Sequence, residues 1–141
     1  MRKYLLCALL LVSCNTTDSG SGGGEAALVG KWEASFNRVI PSQGINTAVT
    51  LKIELGQDRK SSYEMDWNGK YASGFAGGWS LSADTLFLTA TRCFKADSSG
   101  AQAINNCDED LPSRILKLNW DGSVISAGQD TARVVFRKKA V

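Results

Sequence analysis

Thiols and carboxylates are the groups in this chain whose types and spacing could do chemistry, because its 141 residues include no histidine. That absence excludes Ser–His and Cys–His nucleophile pairs and histidine-rich zinc sites, but not carboxylate chemistry. Glu64 and Asp66 stand two residues apart, so a strand would put both on one face. They could pair there, although a solvated polar face is the plainer reading. Asp108-Glu109-Asp110 could offer oxygen ligands to Ca²⁺, yet it lacks the spaced Asp/Asn/Gly pattern of an EF-hand loop and reads as a solvated acidic loop. Gly74 to Gly78 carries no Lys-Ser/Thr of a phosphate loop and is read as backbone geometry. No catalytic constellation, metal set or cofactor emerges, so the chain is not read as an enzyme. The remaining reactive groups are four cysteines, at positions 7, 14, 93 and 107.

The first two cysteines lie in a leader-like segment. Arg2 and Lys3 give a positive start, Leu5 to Val12 form an apolar run softened by Cys7 and Ala8, and small Ser13 precedes Cys14. The run is too short for a membrane-spanning helix, which needs about 20 apolar residues, and has the layout of a secretory signal. Leu11-Val12-Ser13-Cys14 resembles the lipobox of bacterial lipoproteins, Leu-x-small-Cys. The resemblance implies cleavage between Ser13 and Cys14, diacylation of the Cys14 thiol by palmitate-type chains, and acylation of the new amino group. Each buried CH₂ contributes about 0.8 kcal/mol, and one chain alone binds reversibly. Three chains would hold the protein in a membrane essentially permanently. By analogy with enterobacterial lipoproteins, where Asp after the cysteine favours inner-membrane retention, Asn15 favours the outer membrane.

The expected organisation is then a signal peptide at 1–13, lipidated Cys14 with a Ser/Thr/Gly-rich tether at 14–25, and one small domain at 26–141. Ten residues of such a tether span about 18 Å r.m.s.. Without Arg2 and Lys3 the 16 basic residues fall to 14, equal to the 14 acidic ones. A neutral surface argues against broad capture of nucleic acid, which needs a basic footprint. With Cys7 removed and Cys14 acylated, Cys93 and Cys107 remain as a pair in an exported protein, where disulfides persist. Their separation does not suit a Cys-x-x-Cys redox or metal motif. A bridge closing this loop of about 15 residues contributes about 3 kcal/mol in the chain-entropy description.

The elements that must position these groups read as strands. Period-two alternation recurs from Lys31 onward. Lys31 to Phe36 puts Trp32, Ala34 and Phe36 on one face. Thr47 to Leu55 does the same for Val49, Leu51, Ile53 and Leu55, and Ser61 to Trp67 for Tyr63, Met65 and Trp67. Asn68-Gly69 is a strong hairpin signal because both residues tolerate positive φ. Lys70 to Ser82 returns the chain, interrupted by Gly74, Gly77 and Gly78, as at a bulge or sharp coil. Thr85 to Phe94 follows, then a long irregular segment from Lys95 to Pro112 that the disulfide would tie. Ser113 to Trp120, a turn at Asp121-Gly122, Ser123 to Ala127 and Thr131 to Arg137 complete eight candidate strands. Short connections make sequential strands neighbours, and eight of them can close into an all-β, antiparallel up-and-down barrel.

Gly30-Lys31-Trp32 resembles the Gly-x-Trp motif that opens lipocalins and related calycin barrels. Gly77 to Thr89, in which a Gly-x-Trp strand turns into Ala83-Asp84-Thr85-Leu86-Phe87-Leu88, is similar to the middle of bacterial lipocalin-like domains, and the final Val135-Phe136-Arg137-Lys138 fits the same pattern. The resemblance implies an eight-stranded lipocalin-like barrel whose Trp32 lies at the closed end under a basic side chain from near the last strand. Arg137 or Arg133 is the expected cover, worth about 0.5–2 kcal/mol as a cation over an indole face. Asp84-Thr85-Leu86 and Asp130-Thr131-Ala132 also resemble the short Asp-Thr-apolar sites of O-glycosylation in Bacteroidetes.

The aromatic residues Trp32, Phe36, Tyr63, Trp67, Phe75 and Trp79 are expected to share the inward face. They would either fill a narrow lumen or line an apolar pocket closed by the disulfide-tied loop. Two functions follow. One is a membrane-anchored envelope lipoprotein whose barrel binds a small apolar ligand or an envelope component. The other is an envelope inhibitor, of lysozyme or protease type, or a protein-partner-binding lipoprotein, which works through its loops around a filled core.

Overall fold

Cross-strand register decides which of the alternating side chains meet, and it does so around a closed ring. The computed structural model describes residues 24–140 apart from 41, 43, 98–99, 105–106 and 108–114. The leader, Cys14, the tether up to residue 23 and Asp108-Glu109-Asp110 lie outside the described residues. Among the described residues a short helix, α1 (Glu25–Leu28), is followed by nine strands: β1 (Gly30–Ile40), β2 (Ile45–Leu55), β3 (Lys60–Trp67), β4 (Tyr71–Ser82), β5 (Thr85–Asp97), β6 (Gly100–Ile104), β7 (Ile115–Trp120), β8 (Ile125–Ala127) and β9 (Val134–Lys138).

Eight of these strands form one closed antiparallel barrel with up-and-down order, β1-β2-β3-β4-β5-β7-β8-β9, closed by β9 on β1. Its inner face follows the alternation. Trp32, Ala34 and Phe36 stand opposite Ile53, Leu51 and Val49, which in turn face Tyr63, Met65 and Trp67. Further round, Trp79 and Leu81 meet Leu88 and Leu86, Leu86 meets Leu118, and Trp120 meets Ile125, which meets Phe136. Burial of this layer of branched and aromatic side chains is the main source of stability, at about 25 cal/mol per Å² of apolar surface removed from water.

The ninth strand corrects the reading of Lys95 to Pro112 as irregular. β5 continues to Asp97, well beyond its last pair with β7 at Thr89–Ile115, and β6 pairs with that outer stretch from Cys93–Ile104 to Asp97–Gly100. The β5 edge needs backbone partners there whatever its neighbour's composition. Gly100-Ala101-Gln102-Ala103-Ile104 shows no apolar alternation, so it gave no strand signal. At the other end of the chain, a single helical turn, Asp130–Ala132, occupies the start of the expected last strand, which begins only at Val134.

The glycine interruption in β4 marks a bulge. Register slips between Ala76 and Gly77, where Ala76 faces Arg92 and Gly77 faces Ala90, leaving Thr91 as the extra residue on β5. The Thr91 hydroxyl lies 3.1 Å from the Ala76 carbonyl and donates to it. A Cβ on Gly77 would come within 1.7 Å of the Thr89 carbonyl oxygen, so only glycine fits this close approach. At the hairpin of β3 and β4, Asn68 and Gly69 both have positive φ (55° and 69°), as their sequence signal requires.

Candidate functional site

The two ends of the barrel are built differently. At one end, α1 lies across the opening and Leu28 is fully buried. The Trp32 indole nitrogen donates to the Leu28 carbonyl at 2.8 Å, which ties helix to barrel and satisfies a buried donor. Trp120 meets Trp32 edge-on, with ring centroids 5.7 Å apart and planes at 85°. Lys138 covers the Trp32 ring at 5.5 Å and donates to the Ala27 carbonyl at 2.7 Å.

Lys138 thus takes the place expected for Arg137 or Arg133. Trp32 pairs with Lys138 and Glu33 with Arg137, so a one-residue step puts Lys138 on the inner face and Arg137 on the outer. Arg133 precedes the strand. Trp79 repeats the arrangement beside it: its indole nitrogen donates to the Gly56 carbonyl at 2.9 Å, the Arg59 guanidinium lies 4.4 Å above its ring, and Arg59 forms an ion pair with Glu25 of α1.

The opposite end, the mouth of the barrel, is less closely covered among the described residues. Phe36 continues the inward face of β1, yet 36% of it is exposed; Tyr71, at the start of β4, is 38% exposed. Tyr63, Met65 and Trp67 of β3 are only half-buried although their register faces the interior. Tyr63 stacks on Phe75 with centroids 5.3 Å apart, and burial pushes its phenol above the ordinary value of 10.0. The next inward position of β1 is Arg38, whose guanidinium stands 5.5 Å from the Trp67 ring. Beyond Glu33, β1 pairs with β2 but not with β9, so among the described residues 34–40 have a strand partner on one side only.

The six aromatics expected to share one lining therefore divide. Trp32, Phe75 and Trp79, at 2%, 1% and 5% exposure, belong to the sealed interior. Phe36 and Trp67, both paired with Val49 of β2, are brought together at the mouth, whereas Tyr63 stands deeper, stacked on Phe75. Arg38 and Tyr71 were not among the candidates. Arg38 was within reach of the alternation, since Trp32, Ala34, Phe36 and Arg38 share one period, but the strand was expected to stop at Phe36.

Cys93 and Cys107 are joined in a disulfide, both are buried, and their Cα atoms are 5.5 Å apart. Cys93 stands opposite Phe75 on β4, so the bridge fixes Cys107 at the inner wall. The two spaced carboxylates do separate jobs. Glu64 pairs with Lys52 at 3.2 Å, and that hydrogen bond raises the lysine's pKa above its usual value. Asp66 accepts from the Gly69 amide at 2.7 Å and holds the hairpin. Among the described residues, no three His, Cys, Asp or Glu side chains gather as metal ligands.

A hollow of about 390 Å³ on the outer face of β1 to β3 is bordered by Lys31–Glu54, Lys52–Glu64 and Lys139–Glu33 ion pairs and carries compensated charge. Thr85 opens β5, its hydroxyl 3.3 Å from the Asp84 carboxylate, while Thr131 is exposed in the turn before β9. No protein-family model matches the chain, and no curated protein or solved structure is significantly similar to it.

Proposed function

We propose that this chain is a lipid-anchored envelope protein whose lipocalin-like barrel holds a small apolar ligand at its mouth without transforming it. The observation that carries the reading is the contrast between the two ends. Apolar side chains that face inward are sealed by α1, Lys138 and Arg59 at one end, and left part-exposed as Phe36, Met65 and Trp67 at the other. Accessible apolar side chains with few polar groups among them are the ordinary lining of a small-molecule site. The anchoring half of the reading rests on the lipobox-like Leu11-Val12-Ser13-Cys14.

Native mass spectrometry of protein purified with and without organic extraction tests the binding half. An extractable small molecule, with a lower thermal midpoint after extraction, is expected. A ligand-free protein indifferent to extraction would count heavily against it. For the anchor, Cys14→Ser is expected to release the mature protein from the membrane fraction, and continued membrane attachment of that variant would sink it.

A further inference from the structure

Among the described residues the barrel holds three cations over tryptophan rings, and they are not alike. Arg59 over Trp79 is completed by the Glu25 carboxylate, and Lys138 over Trp32 by the Ala27 carbonyl. Arg38 over Trp67, 5.5 Å away, has no carboxylate or carbonyl partner among the described residues. It occupies the inward register of β1, two residues past Phe36, where β1 has no strand partner on the β9 side among the described residues. A guanidinium carries five donors in a planar fork that matches carboxylate and phosphate oxygens. Stacking on an indole orients that fork in advance, so less side-chain freedom is lost when an anion docks. The mouth therefore joins an apolar floor, formed by Phe36, Met65 and Trp67, to one oriented cation at its rim.

We infer that the ligand of the mouth is an amphipathic anion, with its apolar body on Phe36, Met65 and Trp67 and its acidic head on the Arg38 guanidinium. This rests on the mouth being the binding site. Arg38 is exposed, which gives the head a place at the water boundary, so the charge need not be buried to let the apolar body in.

The test titrates dodecanol, dodecanoate, dodecyl phosphate and dodecyltrimethylammonium, each below its micellar concentration, into the full chain carrying Cys14→Ser. That substitution removes any attached acyl chain that would compete. Binding is followed by calorimetry at low and high salt. The acids are expected to bind about tenfold tighter than the alcohol, as a charge-assisted hydrogen bond at a partly exposed site allows, and the ammonium most weakly. The advantage should shrink at high salt. In Arg38→Gln the acids should fall to the alcohol's level while the alcohol is unchanged, and Arg38→Lys should keep part of the gain. Whichever acid gains more identifies the head as carboxylate or phosphate. An acid advantage that survives Arg38→Gln, or equal binding of all four probes, overturns the inference and leaves the apolar mouth standing. No binding of any probe overturns the mouth reading as well. Arg38 is exposed, so an unchanged urea midpoint in Arg38→Gln is expected to exclude misfolding as the cause.

Discussion

Lys138 closes the barrel over Trp32. Its ammonium nitrogen lies 5.5 Å from the indole ring and donates to the Ala27 carbonyl at 2.7 Å, so one side chain from the last strand fastens the helix and covers the first-strand tryptophan. Arg137, its neighbour, faces outward opposite Glu33. Lys138→Met should therefore cost about 1–2 kcal/mol, from the lost cation–aromatic contact and hydrogen bond. Arg137→Met should stay within about 0.5 kcal/mol, as surface substitutions do. Urea unfolding of both variants measures the difference, and equal effects would mean that the register does not set their roles.

Two adjacent glycines separate geometry from composition. The Cβ of Gly77→Ala would lie 1.7 Å from the Thr89 carbonyl oxygen, whereas that of Gly78→Ala meets nothing closer than the Arg59 carbonyl at 3.5 Å. The first substitution forces two strands apart at the bulge and should cost about 3 kcal/mol or more. The second should be within about 1 kcal/mol of neutral, because lost unfolded-chain freedom offsets any minor crowding. Thermal midpoints of the two variants decide it, and a tolerated Gly77→Ala would show that β4 and β5 do not approach so closely.

Much of this architecture was legible in the residues themselves, for a definable reason. Alternation tells which face a side chain takes, and Trp32, Val49, Leu51, Ile53, Leu88 and Leu118 all turned inward accordingly. It does not tell height along the barrel axis. Trp79 and Trp67 share a face but sit at opposite ends, one sealed by Arg59 and the other at the mouth. Choosing Lys138 over Arg137 needed the register, in which one residue reverses the face. β6 was hidden because its strand character comes from the open edge of β5, and α1 because four residues are too few for a helical period to show. The mouth was only half visible: its aromatics were recognised, but not Arg38, which lies past the expected end of its strand.

Acid should act first on turns. The Asp121 carboxylate accepts hydrogen bonds from the Val124 and Ser123 amides, both at 2.8 Å, and from the Ser123 hydroxyl at 2.9 Å. These donors, Val124 foremost, hold its pKa below the ordinary 3.8. A carboxyl depressed in the folded state binds its proton less tightly than in the unfolded chain. Its stabilisation is therefore present above 3.8 and is lost as pH falls below that through the folded value. Asp121→Asn should lower stability at neutral pH and flatten the acid limb of the unfolding midpoint plotted against pH. The carboxyl carbon shift of Asp121, followed by NMR titration, should report a pKa below that of a model peptide; a value at or above it would remove the argument.

The contrast between the barrel ends makes the strongest demand on the structure. Leu28 is fully buried under the closed end, so Leu28→Ala removes packed methyl groups and leaves a void, at a cost of about 2–5 kcal/mol. Phe36 has the same inward orientation on β1 as Trp32, but 36% of its surface meets water. Little burial is lost in Phe36→Ser, which should cost less than about 1.5 kcal/mol while removing part of the apolar floor beside Trp67. The two variants should then divide the properties of the barrel. Leu28→Ala is expected to unfold at clearly lower denaturant with binding of an apolar probe retained in the folded state. Phe36→Ser should keep most of the stability and bind the probe more weakly. If Phe36→Ser destabilised the protein as much as Leu28→Ala, the mouth would be packed like the closed end, leaving no room there for a ligand.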